Sequence, residues 1–352
     1  MQRSARDASV PAARESDATL VKLNLRTILW AMLLGVAVYG GYAVWRGVDK
    51  MGAVLADYAW SSFALACALA FGNYVLRFLK WEFYLARLDI RGIGKIDSLL
   101  TFFSGFVLTV TPGKVGEVFK SVVLEDTHGV PIARTAPIVV AERVTDLIGI
   151  IVLIVLGSLG FPGGLGWAIA GSVLVVIVLG IVASRSISLG LVGVVERMGK
   201  LGARIGPKLR DAYESLAVLV SPRNLAFPTL VSIVAWSLEC LSLWIILRGF
   251  GESTSVTLSA FFYATSTLAG ALVPLPGGLG VTETILQGQL RELGHVGEAQ
   301  STAAMILCRF ATLWFAVLVG FAALSLLRRR HPSLLRDGGT KAGTSASVTP
   351  TT

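Results

Sequence analysis

The sequence predicts an all-α, polytopic membrane protein with six full transmembrane helices and two re-entrant helical hairpins related as an inverted repeat. Three observations carry that expectation. Apolar residues make up 54% of the 352 positions against 15% charged, and mean hydropathy is +0.72, so most of the chain has lipid as its solvent. Apolar stretches of about 20 residues, enough to cross a bilayer, recur along its length. Two shorter stretches, residues 101–120 (TFFSGFVLTVTPGKVGEVFK) and 260–287 (AFFYATSTLAGALVPLPGGLGVTETILQ), share one layout. Each has a Phe-Phe pair, an apolar run, a Pro-Gly break and a new helical pattern carrying a glutamate. About thirty residues further on, each is followed by an apolar segment holding one arginine, Arg143 or Arg309. Weak internal symmetry between interrupted hydrophobic segments points to a transport site at the bilayer midplane.

Taken in order, residues 1–26 have neither an apolar core nor a small-residue cleavage site, and read as a disordered cytoplasmic tail. Residues 27–330 form a single transmembrane domain. Full spans are expected at 27–45, 58–79, 132–156, 166–184, 225–247 and 302–327. The first repeat covers about 97–184, a basic cytoplasmic segment 185–223, and the second repeat about 225–330. Residues 331–352 read as a second disordered tail, rich in Gly, Ser and Thr.

Charge placement decides how the broken segments lie. If both are re-entrant, one face collects Arg3 through Arg26, Arg77 through Lys95, Lys114, Lys120, Arg134, Arg185 through Arg223 and Arg328 through Arg330. Only Arg46, Lys50, Arg248 and Arg291 are left opposite. If both crossed fully, the basic segment 185–223 would land outside, against the positive-inside rule. Both termini are therefore expected in the cytoplasm of a multi-pass cell (inner) membrane protein, with the hairpins entering from opposite faces.

At the hairpin tips, Pro112 removes a backbone donor and Gly113 permits unusual dihedrals, so one half-helix ends at Thr111 and another starts near Lys114. Pro274, Pro276, Gly277, Gly278 and Gly280 do the same in the second repeat. Such helix starts favour anions. Lys114, Glu117 and Ser121 share one helix face, as do Glu283, Gln287 and Arg291, and both faces are expected to line one cavity. A Pro-Gly step alone is more often a plain loop; its duplication is what favours a site.

Arg143 lies about 16 Å into its span, where a charge costs about 2.5–3.5 kcal/mol and needs a partner. Asp146 at i+3 shares its face, and Glu142 with Asp146 makes a carboxylate pair beside it. A structural lock between helices is the alternative role for Arg143 and Asp146. Arg309 has no acidic residue within four positions, which leaves Glu283, Glu117, Glu239 or an anionic ligand as its partner. Glu239 itself reads as a buried hydrogen-bonding acid.

Scattered His128, His295 and His331 argue against a metal cluster, and Cys67, Cys240 and Cys308, without CxxC spacing, read as packing residues. No cofactor is implied, and GFPGGLG at 160–166 reads as an external turn. Leu201, Ile205, Leu209, Ala212, Leu216 and Leu219 repeat at helical spacing while Arg197, Lys200, Arg204 and Lys208 take another face. That segment lies on the anionic inner leaflet or forms a solvated loop. The net charge of +9 reports membrane orientation, and no nucleic-acid partner is expected.

The order PGKVGE, AERVTDL, PLPGGLGVTE resembles the lysylphosphatidylglycerol synthase transmembrane family, which includes the flippase half of the multiple peptide resistance factor, UPF0104 proteins and hopanoid-associated relatives. The resemblance covers about residues 20–330. It implies an integral membrane protein with two re-entrant helices that moves or handles polar-headed lipids. Matching positions are Pro112, Gly113, Gly116, Glu117, Glu142, Arg143, Asp146, Pro276, Gly277, Gly278, Gly280, Glu283 and Arg309. Where the family commonly has arginine shortly after the first motif glutamate, this chain has Lys120, a point charge rather than a bidentate fork. Synthesis of the modified lipid needs a further soluble domain and is not expected in a chain that stops at Thr352.

The expected activity is therefore non-enzymatic translocation of an anionic or zwitterionic lipid, of aminoacyl-phospholipid, polyprenyl-linked or hopanoid type. Lys114, Glu117, Lys120, Arg143, Glu283 and Arg309 would contact the head group, with Glu117 and Glu283 gating the cavity or carrying a coupling proton. Two rivals stand beside it. An ion-coupled small-anion transporter would close its cavity to lipid, and an accessory to a glycosyltransferase or lipid-modifying enzyme would pair its polar groups internally.

Overall fold

The computed structural model describes residues 48–110, 117–183, 215–273, 275–332 and 334. The expected span at 27–45, the first tip with Pro112, Gly113, Lys114 and Gly116, most of the basic segment 185–223, Pro274, the first tail and most of the second lie outside those residues.

The described residues are mostly helical, without strands among them. In chain order the helices are α1 (Val48–Ala56), α2 (Trp60–Arg87), α3 (Lys95–Ser104), α4 (Phe119–His128), α5 (Ile132–Ser158), α6 (Leu165–Ala183), α7 (Pro222–Gly249), α8 (Val256–Leu272), α9 (Val281–Glu292), α10 (Glu298–Arg309) and α11 (Phe315–Arg330). Local chemistry sets several boundaries. Gly129, at φ 68, ends α4 in the left-handed region. Pro222 starts α7 at the position where a missing N–H costs nothing, and Ser255 caps α8 by accepting the Leu258 N–H at 3.2 Å.

Among the described residues, three helical stretches are long and apolar enough to cross a membrane: Trp60–Arg87, Arg223–Gly249, and Glu298–Arg330, which joins α10 and α11. α5, at 27 residues, is as long as the second of these but carries Arg134, Glu142, Arg143 and Asp146. α2 runs eight residues past the span expected from hydropathy, through Lys80, which is buried. Charge counting along a sequence cannot see a helix that continues through its own basic residues.

The distribution of side chains is inverted relative to a water-soluble domain. Lys80, Glu142, Asp146, Glu283 and Arg309 are buried, while Trp167, Ile169, Val176 and Leu318 are exposed. Charges inside and apolar groups outside suit a lipid solvent.

α2 packs along α7, α5 packs on α7 and α8, and α11 lies against α3 and its one-turn 3-10 extension, Gly105–Leu108. Glycines make the closest approaches. A Cβ on Gly157 would meet Phe261 N and Thr257 O of α8 at 2.8 Å, and one on Gly320 would meet Val107 N at 2.6 Å.

The second expected break interrupts its helix. α8 stops at Leu272, Val273 is extended (φ −96°, ψ 128°), Pro276–Gly278 makes a 3-10 turn, and α9 starts at Val281, packed on α8. A Cβ on Gly277 would lie 3.6 Å from Val110 Cα, so the second tip touches the chain that leads into the first.

At the other end of α11, Arg330 Nε donates to Asp97 Oδ1 at 2.6 Å, tying α11 to the start of α3. That hydrogen bond holds the Asp97 carboxyl below the usual carboxylate range. The tie therefore contributes at pH values above that range and fades as the pH falls below it. Asp97→Asn is expected to lower the unfolding midpoint in detergent at pH 6, with the gap to wild type shrinking at pH 3. Gly157→Val should cost about 1–3 kcal/mol by overpacking, while Gly166→Ala, with nothing within 4 Å, should not lower the midpoint.

Candidate functional site

Tyr74, Arg77 and Trp81 stand on one side of α2 at i, i+3, i+7, with Lys80 beside them. The Lys80 ammonium, fully buried, uses its three donors on Asp146 Oδ1 (2.6 Å), Ser232 Oγ (2.7 Å) and Thr145 Oγ1 (3.2 Å). It thereby joins α2 to α5 and α7. Arg143 Nη2 donates to the other Asp146 oxygen at 2.8 Å and approaches Glu117 at 3.2 Å. Arg77 Nη2 lies 3.6 Å from Glu117 and 3.9 Å from Asp146. Lys120 donates to Glu142 at 2.5 Å with its ammonium over the rings of Trp81 and Phe102. Paired in that way, it is a buried lock between α4 and α5.

A second constellation holds the other tip. Arg309 Nε donates to Glu283 Oε1 at 2.6 Å and its Nη2 to the Gly277 carbonyl at 2.7 Å. The second Glu283 oxygen accepts the Gly280 N–H at 2.7 Å, closing the start of α9. Gly280, at φ 88, is in a backbone region that side chains rarely adopt. The half-helix start expected to face a ligand thus spends an amide on its own glutamate. Immediately after Arg309, Phe310–Trp314 forms one π-helical turn, and the Thr312 carbonyl accepts the Tyr74 hydroxyl at 3.0 Å. Single π turns inside α-helices recur at functional sites.

Between these constellations lies a cavity of about 80 Å³. Arg77, Arg309, Glu239, Tyr263, Trp236 and Thr109 contribute to its wall, together with the tip glycines Gly277 and Gly278. The Tyr263 hydroxyl donates to Glu239. Arg143, Glu117, Lys120 and Glu283 are not on that wall. Arg143 sits in the α5 network with a side chain 29% exposed, and Arg77 is the cation that shares the cavity with Arg309. Ser121 is buried; Gln287 Nε2 donates to Thr302 Oγ1 at 2.6 Å, and Arg291 points out to Glu298. Cys240 and Cys308 are buried and free, with Cys67 half-buried.

Arg77, Lys80, Tyr74 and Trp236 were not singled out by the sequence reading. A signal existed: in GNYVLRFLKW, Asn73, Arg77 and Lys80 recur at helical spacing inside an apolar stretch, which places them on one inward stripe.

Residues 32–320 match the family described as the lysylphosphatidylglycerol synthase transmembrane region. The chain belongs to that family. A UPF0104 membrane protein of Methanothermobacter thermautotrophicus is 22% identical over 306 residues, covering 79% of this chain and 86% of the relative. A UPF0104 membrane protein of Methanocaldococcus jannaschii is 24% identical over 229 residues, covering 64% of this chain and 95% of the relative. Membership in the lysylphosphatidylglycerol synthase transmembrane family, with the apolar helices above, makes this a multi-pass membrane protein.

Removing Lys80 takes one of two close cations from the buried Asp146 carboxylate, Arg143 being the other, so Lys80→Ala is expected to cost about 1–3 kcal/mol. Lys95→Ala, which breaks an exposed pair with Glu82, should barely move the midpoint. Chemical unfolding in detergent measures both.

Proposed function

We propose that this protein is a lipid translocator whose cavity takes the polar head while the acyl tails stay in the surrounding lipid. In this reading the α3–α4 and α8–α9 pairs are re-entrant hairpins of an inverted repeat, entering from opposite faces, and both termini are cytoplasmic. The head group is anionic or zwitterionic. Arg77 and Arg309 hold it, and the Arg143–Glu117 and Lys120–Glu142 pairs keep the first hairpin in register with α5.

One observation carries the proposal. Cavity-wall residues Gly270, Ala271 and Gly277 are interleaved along the chain with exposed Leu272, Val273 and Leu275, of which Leu272 is 76% exposed. A polar pocket bordered by uncovered apolar side chains fits a ligand that is polar at one end and apolar at the other. A small-anion carrier has no use for that border. Removing the head from water is offset by the buried donors, and broken backbone is tolerated there because it lines a cavity.

The internal pairing of Lys80, Lys120 and Arg143 favours a second reading, a non-transporting accessory to a glycosyltransferase or lipid-modifying enzyme. Proteoliposomes carrying head-labelled lipids separate the two. Wild type is expected to accelerate movement between leaflets, Arg77→Ala and Arg309→Ala to slow it at least about tenfold, and Arg143→Ala to have a smaller effect. No acceleration by folded wild type would favour the accessory role, and full rates in both cavity variants would remove the site.

A further inference from the structure

Five acids are buried among the described residues: Glu117, Glu142, Asp146, Glu239 and Glu283. Four of them are held in the ion pairs that lock the hairpins and α5. Arg77 and Arg143 hold Glu117, Lys120 holds Glu142, Lys80 and Arg143 hold Asp146, and Arg309 holds Glu283. None of those four is on the cavity wall. Glu239, on α7, is the carboxylate that the cavity reaches among the described residues, and it shares the wall with Arg77 and Arg309. It accepts the Tyr263 hydroxyl.

An acid inside a membrane costs about 2.5–3.5 kcal/mol, and the contact with Tyr263 does not require one. A glutamine would accept that hydrogen bond equally well; what it cannot do is change charge. On the wall of a site for a negatively charged head, a carboxylate is a like charge beside the ligand, which disfavours its ionised form. Filling the site and protonating Glu239 are therefore linked, each favouring the other by the same factor.

The other titratable and charged groups around Glu239 do not offer that change near neutral pH. Arg77 on α2 and Arg309 on α10 stay charged, while Tyr74 on α2, Tyr263 on α8, Cys240 on α7 and Cys308 on α10 are phenols and thiols, which ordinarily keep their protons there. On α5, which also packs on α7, Glu142, Arg143 and Asp146 are engaged with Lys120, Glu117 and Lys80. The cavity of about 80 Å³ has room for a few waters to carry a proton in.

We propose that Glu239 is the proton-carrying group of this site. It takes up one proton from water when the negatively charged head seats beside Arg77 and Arg309, and returns it to water when the head leaves on the other side. The proton binds a carboxylate oxygen and departs from it, with no other bond made or broken, so lipid and proton travel in the same direction. This rests on the lipid-translocating reading and moves the coupling proton from Glu117 and Glu283, whose ion pairs hold the hairpins, to the acid on the wall.

The test uses the full chain. In detergent, between pH 5 and 8, short-chain phosphatidylglycerol and phosphatidylethanolamine are titrated by calorimetry in two buffers of different ionisation enthalpy, which reads the protons taken up per lipid bound. Wild type is expected to take up as much as one proton, and Glu239→Gln none. Glu298→Gln, which removes an exposed acid paired with Arg291, should match wild type. In vesicles of phosphatidylcholine and head-labelled phosphatidylglycerol, a pH gradient should drive the label from the acidic to the alkaline leaflet, and Glu239→Gln should not respond to the gradient. Should Glu239→Gln fail to fold, Tyr263→Phe decides: without its hydrogen bond to the carboxylate, the pH of half-maximal uptake should rise by about one unit or more, and an unmoved midpoint overturns the assignment. Uptake by Glu239→Gln equal to wild type, or none with either lipid, also overturns it. Wild type that moves lipid at a rate indifferent to the gradient removes the proton carrier and leaves translocation standing. Glu239-dependent uptake on binding, without movement between leaflets, removes translocation and leaves the linked proton site.

Discussion

The Arg309–Glu283 pair is the contact on which the second half of the molecule depends. A chain broken by Pro276, Gly277 and Gly278 exposes a carbonyl at the end of the turn and amides at the start of the next helix. In lipid no water repairs either loss. Arg309 answers the Gly277 carbonyl, Glu283 answers the Gly280 amide, and the two side chains answer each other. Each member is satisfied by geometry that the others impose, which is the condition under which a buried ion pair is tolerated.

The same rule organises the first half with a different device. Lys80 is a three-way donor at the crossing of α2, α5 and α7, and Lys120 crosses from α4 to α5 under the Trp81 ring. These cations fix the relative rotation of helices whose outer faces are apolar. Packing of Leu, Val and Ile against lipid or against one another differs little in energy, so polar contacts and close glycine approaches carry the specificity. The cavity falls where the two devices meet, with Arg77 reaching from the first and Arg309 from the second.

The second break was legible because Pro276 and its glycines cannot continue a helix, and Arg309 stood out because no acid lies within a turn of it. Its partner Glu283 was among three candidates, and only the fold selects it. The roles of Arg77 and Lys80 were hidden because a run of basic residues past an apolar stretch looks the same whether the helix stops or continues inward. The π turn at Phe310–Trp314 was hidden too, since FATLW carries no local signature and the extra residue is absorbed by tertiary contacts such as Tyr74 with the Thr312 carbonyl. Glu283 was read as facing a ligand, and its place at the start of α9 as a capping residue follows from the same spacing read the other way.

The most direct test of the account is a double-mutant cycle on this clamp, Arg309→Met with Glu283→Gln, followed by equilibrium unfolding in detergent. Residues joined in one buried network should show a coupling of about 2 kcal/mol or more. Additivity within about 0.5 kcal/mol would mean that the pair does not hold the break, and the account would be wrong at its centre.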